Sequence, residues 1–317
     1  GCLANVTVPA GSVDALAAAI AQVCINGTVT LAAGTHTENA GVTISKNVTI
    51  VGEDGAILKV KSHLETEPDG ITSAIAVQNT WGVVLKNFEL QSLSGDGGYG
   101  ITLLKSGDAE VSDMTIAPHH VGIIVEKSKY ALLKNNVVTA STYWQTGGAY
   151  GMGIVIVNGE RAWIEGNEIR NAVFGVWACD QYGTYVDNYT HDNFIGLILC
   201  KVPAGSFLMP DGTLAGSAFS GGYWDVHDNK STDNLDAGYI VIDGANHNNL
   251  QDNEGGNNGT YDIELVGDSY RFGFLTPKSS WNQVRAGDFP NVTIKDCGLN
   301  NVVIGGVKID IGADPCF

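Results

Sequence analysis

Six Gly-apolar pairs, Gly100-Ile101, Gly122-Ile123, Gly153-Ile154, Gly175-Val176, Gly196-Leu197 and Gly238-Tyr239, each open a short apolar run. A second column keeps step with the first. About fourteen residues after most of these glycines stands an asparagine, at Asn136, Asn167, Asn188 and Asn253, with Met114 in the slot once and Asn87 one turn earlier. Where no extra segment intervenes the period is about 21 to 24 residues, the range of solenoid repeats. One such period cannot bury its own apolar side, so successive periods must stack as coils and share a continuous core.

The repeat is built of strands. Apolar residues fall on alternate positions (Ile101 and Leu103, Ile123 and Val125, Ile154 and Ile156, Leu197 and Leu199), a period of two rather than the helical 3.6. The asparagine column reads as a turn position, because Asn tolerates the left-handed conformation and its amide bonds nearby backbone. Stacked amides can also form a hydrogen-bonded ladder that satisfies polar groups inside the solenoid. Repeats of the form Gly-Ile-x-Val followed by Ile-x-x-Asn-x-Ile resemble the right-handed parallel β-helix of the pectate-lyase-like superfold over about residues 45 to 265. The resemblance implies an all-β solenoid. It implies no single activity, since that superfold hosts lyases, hydrolases, epimerases, glycan-binding surfaces and adhesins.

The expected organisation is one domain over 1–317, with an N-terminal cap over 1–44, regular coils over 45–266, and irregular C-terminal coils and cap over 267–317. Ser12 to Cys24 reads as a short amphipathic capping helix, with Ser12 as N-cap and Leu16, Ile20 and Val23 on one face. Six cysteines favour an oxidising compartment, and Cys2 with Cys24 and Cys297 with Cys316 bracket the two ends that need staples. Cys2 has a second reading as the lipid-modified first residue of a lipoprotein. The expected location is secreted or cell-surface, and no apolar run reaches the length of a membrane span. Seven Asn-x-Ser/Thr sequons occur, but in an Asn-rich solenoid many arise by chance, and Asn188 and Asn229 lie in or beside the turn column.

Two segments break the period, at roughly 140 to 151 and 201 to 222, and by their order in the coil they flank one face. In the enzymes this fold resembles, loops at those places wall a substrate groove. The outward residues of the strands beneath are apolar: Ile124, Val155, Trp177, Ile198 and Ile240 at one position, Val157, Cys179, Cys200 and Ile242 at another. Two readings follow. Either the longer insert folds over the strip and buries it, or the strip is a sugar-stacking platform centred on Trp177 with Tyr143, Trp144, Tyr150 and Tyr223 nearby. Cys179 and Cys200 share one register in consecutive coils, compatible with a disulfide or with two buried thiols.

Polar groups gather at the rims. Lys127, Asp180, Lys201 and Asp243 fall in one column expected at solvent, with Asp180 and Asp243 two rungs or about 10 Å apart, near the acid–base separation of an inverting glycosidase. Lys201 between them would tune their proton affinities or act as a base. The plainer reading is a self-neutralising charge ladder. His119, His120 and Asp192 mark the opposite rim. The motifs of polygalacturonases and pectate lyases are missing, as are Gly-x-Ser-x-Gly and His-Glu-x-x-His. A net charge of −17 and a pI near 4.6 exclude nucleic acid as a partner and weigh against polyuronates unless Ca²⁺ bridges them, leaving a neutral polysaccharide. The sequence therefore supports either a polysaccharide hydrolase, lyase or epimerase, or a non-catalytic glycan-binding solenoid.

Overall fold

Each period folds into three short strands separated by turns, and each strand pairs in parallel with its counterpart in the next period. The result is a right-handed parallel β-helix. The computed structural model describes residues 1–62, 72–93, 97–141, 151–201, 221–268 and 277–309. Across these residues the strands line up as a twelve-stranded, an eleven-stranded and a nine-stranded sheet. The Gly-apolar column runs along the eleven-stranded sheet: Ile101 pairs with Ile123, which pairs with Ile154, then Val176, Leu197 and Tyr239. All six side chains lie inside the coil in the main core.

The glycines of that column are required by close approach. A Cβ on Gly100 would stand 2.5 Å from the carbonyl oxygen of Gly122, and one on Gly122 would stand 2.8 Å from that of Gly153. Neighbouring coils touch backbone to backbone there, which only glycine permits. The asparagines also act differently from the expected left-handed turn. Positive φ belongs to the residue before each one (Asn135, Gly166, Asp187, Asp228, Asp252), while Asn136, Asn167, Asn188, Asn229 and Asn253 point inward. Each amide nitrogen bonds the side-chain oxygen of the next, at 2.9 Å for Asn136 to Asn167 and for Asn167 to Asn188, 3.1 Å to Asn229 and 2.9 Å to Asn253. Asn193, Asn234 and Asn258 form a second column and Asn248, Asn282 and Asn301 a third. Asn188 and Asn229, buried in the ladder, are closed to glycosyl transfer in the folded chain.

The N-terminal lid is shorter than expected. The helix runs Leu16–Gln22 with Ala15 at its N-cap, and the Ser12 hydroxyl donates instead to the Pro9 carbonyl. The cap comes from another coil, where the Glu38 carboxylate accepts the Leu16 N–H at 2.8 Å. Leu16, Ile20 and Val23 are buried as expected, although Val23 already begins a strand. The Cys2–Cys24 disulfide staples this end, as expected. Strands begin at Leu3, ahead of residue 45, and past residue 266 Gln283–Arg285, Thr293–Asp296, Val302–Ile304 and Val307–Lys308 continue two of the three sheets. Cys316 lies outside the described residues, and with it the Cys297–Cys316 pairing.

Candidate functional site

The eleven-stranded sheet has a second apolar layer on its outer side. Ile124, Val155, Ile198 and Ile240, with Val157, Cys179, Cys200 and Ile242, are 0 to 1 % exposed and form a core separate from the one inside the coil. The strip side chains are thus buried rather than bare, and the insert that the covered reading lays over them falls outside the described residues. Cys179 and Cys200 are joined as a disulfide, which settles their pairing. Trp177 is half-buried, edge-on to Phe174 at 5.5 Å, with its indole N–H directed at the Cys200 sulfur. It is packed against this layer with part of its surface still exposed. Residues 142–150, which include Tyr143, Trp144 and Tyr150, and residues 202–220 lie outside the described residues.

The rim column differs from its expected solvent position. Asp180 and Asp243 share a column two rungs apart, as read from the pairing of Ala178, Leu199 and Val241, but they are 1 % and 4 % exposed. Strand alternation tells which way a side chain points, not whether another layer covers it. Lys201 is exposed, and Lys127 is half-buried with its ammonium 3.5 Å from the buried Glu126 carboxylate. Asp180 Oδ1 accepts the Gln181 N–H at 2.7 Å, whereas Oδ2 finds no hydrogen-bond partner among the described residues. Burial pushes this carboxyl up to about 7, the Gln181 hydrogen bond opposing the shift.

A testable pH dependence follows. A carboxyl raised from 3.8 to about 7 in the folded state holds its proton there longer than in the unfolded chain. It therefore favours folding at low pH, and stability falls as pH rises through that window. Asp180→Asn, which keeps the shape and removes the charge, is expected to flatten the fall between pH 4 and 7 and to raise the unfolding free energy at pH 8 by several kcal/mol. Urea melts of both proteins at stepped pH check this, and parallel pH profiles would refute it.

The opposite edge is also less open than expected. His119 is fully buried, its Nδ1 2.7 Å from the Ala117 carbonyl, and burial pulls its imidazole down so that the ring is neutral. His120 is half-buried, and Asp192 is exposed with a carboxylate oxygen 2.6 Å from Nδ1 of His191. These groups and the Asp180 column stand on opposite edges of the sheet, and the described residues join them into no single constellation.

Another surface escaped the sequence reading. Where the chain leaves the eleven-stranded sheet, successive coils place Tyr130, Arg161, Tyr182, Tyr223, His247 and Trp281 at equivalent positions, all with φ between 55 and 60°. Backbone bonds keep them in register, from Tyr182 N–H to Gly222 O at 3.0 Å and from Tyr223 N–H to Asn246 O at 3.1 Å. The rings stack: Tyr182 on Tyr223 at 5.0 Å, Tyr223 on His247 at 4.9 Å, His247 on Trp281 at 6.4 Å, with the Arg161 guanidinium 5.4 Å over Tyr182. They are nevertheless open to water, Tyr182 at 43 %, Tyr223 at 47 % and Trp281 at 56 %. A left-handed residue with a bulky side chain costs about 1–2 kcal/mol, of the same order as the ~0.5–1.5 kcal/mol a stacked pair returns. The signal was present in the sequence, since Tyr130, Tyr182, Tyr223 and His247 each stand six residues before a ladder asparagine (Asn136, Asn188, Asn229, Asn253).

The profile of the family described as "NosD: Periplasmic copper-binding protein" matches residues 25–203, more than half of the chain. No curated protein matches in sequence. Among solved structures, ORF18 of Geobacillus virus E2 superposes with a TM-score of 0.53 at 12% identity, covering 93% of this chain and 56% of that one, so the chain spans little more than half the viral protein. A DFA-IIIase from Arthrobacter chlorophenolicus A6, in complex with GF2, also gives 0.53 at 12% identity, covering 90% and 86%. An alginate lyase from Paenibacillus sp. str. FPU-7 gives 0.44 at 13% identity, covering 96% and 98%. At these identities the likeness is one of fold.

Proposed function

We propose, from the premise that this chain belongs to the NosD family of periplasmic copper-binding proteins, that it is an extracytoplasmic solenoid that binds a neutral polysaccharide without cleaving it. The Cys2–Cys24 and Cys179–Cys200 disulfides support an oxidising compartment, the periplasm or the cell exterior. Among the described residues no helix is long and apolar enough to cross a membrane.

Copper does not fit the residues described. They contain no group of three or more His, Cys, Asp or Glu arranged to hold a metal ion. Copper sites draw on thiolate, thioether or imidazole ligands, whereas Cys2, Cys24, Cys179 and Cys200 are oxidised and Met114 is locked in the core. The same finding gives Ca²⁺ no cluster of three carboxylates among the described residues.

The observation that carries binding over catalysis is the burial of the outer strip together with Asp180 and Asp243. A general acid and base must reach substrate or water, and these two acids are 1 % and 4 % exposed. Polysaccharide is favoured because a solenoid repeats the same groups about every 4.8 Å along its axis, the kind of surface that matches a linear polymer. The charge of −17 turns the choice toward uncharged chains. A second reading, in which Asp180, Lys201 and Asp243 act as hydrolytic groups, keeps one observation in its favour: a carboxyl raised to about 7 is suited to proton donation at neutral pH. A panel of soluble polysaccharides separates the readings. Retardation in affinity gels with no new reducing ends and no absorbance from unsaturated sugars is the expected result. Product release that Asp180→Asn abolishes would replace the first reading with the second.

A further inference from the structure

We infer that the exposed column Arg161, Tyr182, Tyr223, His247 and Trp281 is the strip on which a linear, uncharged glycan lies, parallel to the solenoid axis. The inference rests on the glycan-binding reading above and gives it a place remote from the buried layer over the eleven-stranded sheet.

The first argument is a comparison within the chain. The turn before the asparagine ladder also demands a left-handed residue in every coil, and there the chain uses Asn87, Asp113, Asn135, Gly166, Asp187, Asp228 and Asp252, the residue types that adopt it most readily. At the ring column the outer coils meet the same backbone demand with Gly82, Asp108 and Asn300, whereas the six consecutive coils between them use Tyr130, Arg161, Tyr182, Tyr223, His247 and Trp281. Local preference does not select these residues, and half of each ring's surface stays in water, so burial does not select them either. Unfavourable backbone geometry held at an exposed place is a mark of function.

The second argument is the match of spacing and chemistry. Tyr182, Tyr223 and His247 follow one another at 5.0 and 4.9 Å. An extended hexopyranose chain advances by a comparable distance per sugar, so each ring edge would meet one sugar. The faces are turned toward one another, and what meets solvent is a line of aromatic C–H edges carrying phenol, imidazole and indole polar atoms. Such edges suit the alternating C–H and hydroxyl surface of a pyranose, as amphipathic Tyr and Trp do at other wet interfaces. Arg161 closes one end of the stack as a cation, but beside it Lys129 is already paired with Glu160 at 3.0 Å, and one guanidinium on a chain of charge −17 is a weak draw for an anionic polymer.

The test uses the whole chain, with cellohexaose, mannohexaose and xylohexaose as neutral probes and hexagalacturonate as the anionic one, by calorimetric titration. Tyr223→Asn, and Tyr182→Asn with Tyr223→Asn, remove the rings and install the residue the neighbouring turn column uses, so the backbone is suited to them. The wild type is expected to bind at least one neutral hexasaccharide tenfold more tightly than hexagalacturonate. The single variant should lose at least tenfold in affinity and the double variant all measurable binding, with melting temperatures within a few degrees of wild type. Leu235→Ala, at a side chain 60% exposed on a different turn, should change nothing. Undiminished binding by the double variant would overturn this assignment while leaving the glycan reading in place. Loss of binding only in step with a large drop in melting temperature would make the stack a structural staple and overturn the assignment too. If the wild type binds none of the hexasaccharides and no polysaccharide of the panel, both readings fall.

Discussion

Ile154→Asp is expected to leave no soluble, cooperatively folded protein, and Val155→Asp, one residue on and facing the other way, is expected to do nearly the same. Ile154 lies inside the coil between Ile123 and Val176, with no exposed surface. Its loss forfeits about 1.5–3 kcal/mol of burial, and an unpaired carboxylate in that interior costs several kcal/mol more. Together these approach the roughly 5–15 kcal/mol that holds most domains folded. Val155 points outward between Ile124 and Trp177 at 1 % exposure. On a bare solenoid face its replacement would be tolerated, whereas under a packed second layer it buries the same unpaired charge. Ile154→Val, which trims one methylene, should cost only about 0.5–1.5 kcal/mol and serves as the folded reference. Soluble yield and thermal melts by circular dichroism decide the matter. A Val155→Asp protein that melts like the wild type would show that the outer layer contributes nothing to stability.

The difference between these two residues is also the difference between what the sequence discloses and what it hides. The period, strand alternation and inward set Ile123, Ile154, Val176 and Leu197 were legible because every coil repeats the same physical requirement. Contacts made once were not. The Glu38 carboxylate that caps the helix at Leu16 comes from the next coil, and no local pattern announces it. Alternation points Asp180 and Asp243 outward, and it is silent about their burial, which comes from contacts outside the repeat. The exposed rings are hard to read for the reverse reason. Their column was periodic, but aromatic residues at a turn carry no expectation of left-handed backbone, so Tyr182, Tyr223 and His247 were not read as one surface. Propensity identifies what a position usually holds, and the ring column is informative because it departs from that.

The asparagine ladder yields the second large effect. Asn188→Ala is expected to destabilise the protein by roughly 3–6 kcal/mol, far more than a single side-chain truncation at the surface. The Asn188 side-chain oxygen accepts from the Asn167 backbone N–H at 3.0 Å and from its side-chain amide at 2.9 Å. Its own amide donates to the Ile164 and Val186 carbonyls at 2.9 Å each and toward Asn229 Oδ1 at 3.1 Å. Alanine removes all five of these bonds at a place 1 % exposed; the Asn167 backbone N–H loses its acceptor, while the Val186 carbonyl keeps the Gly166 N–H and Asn229 Oδ1 keeps the Asn188 backbone N–H, and each group left orphaned costs about 1–3 kcal/mol less whatever an entering water restores. Asn188→Asp makes a sharper case. One oxygen of the new carboxyl still serves Asn167, but the other faces three acceptors where an N–H₂ group stood. Burial and acceptor crowding hold that carboxyl's pKa above its unfolded value, so the variant should be least stable at pH 7 and regain stability as pH falls and the group becomes a donor. Asp180, present in both proteins, contributes the same trend to each, so the quantity to measure is the difference between Asn188→Asp and wild type in urea midpoint at pH 7 and pH 5. A difference that does not narrow on acidification would mean that the ladder's donors and acceptors are not ordered as described, and that its amides fill space rather than carry hydrogen bonds from coil to coil.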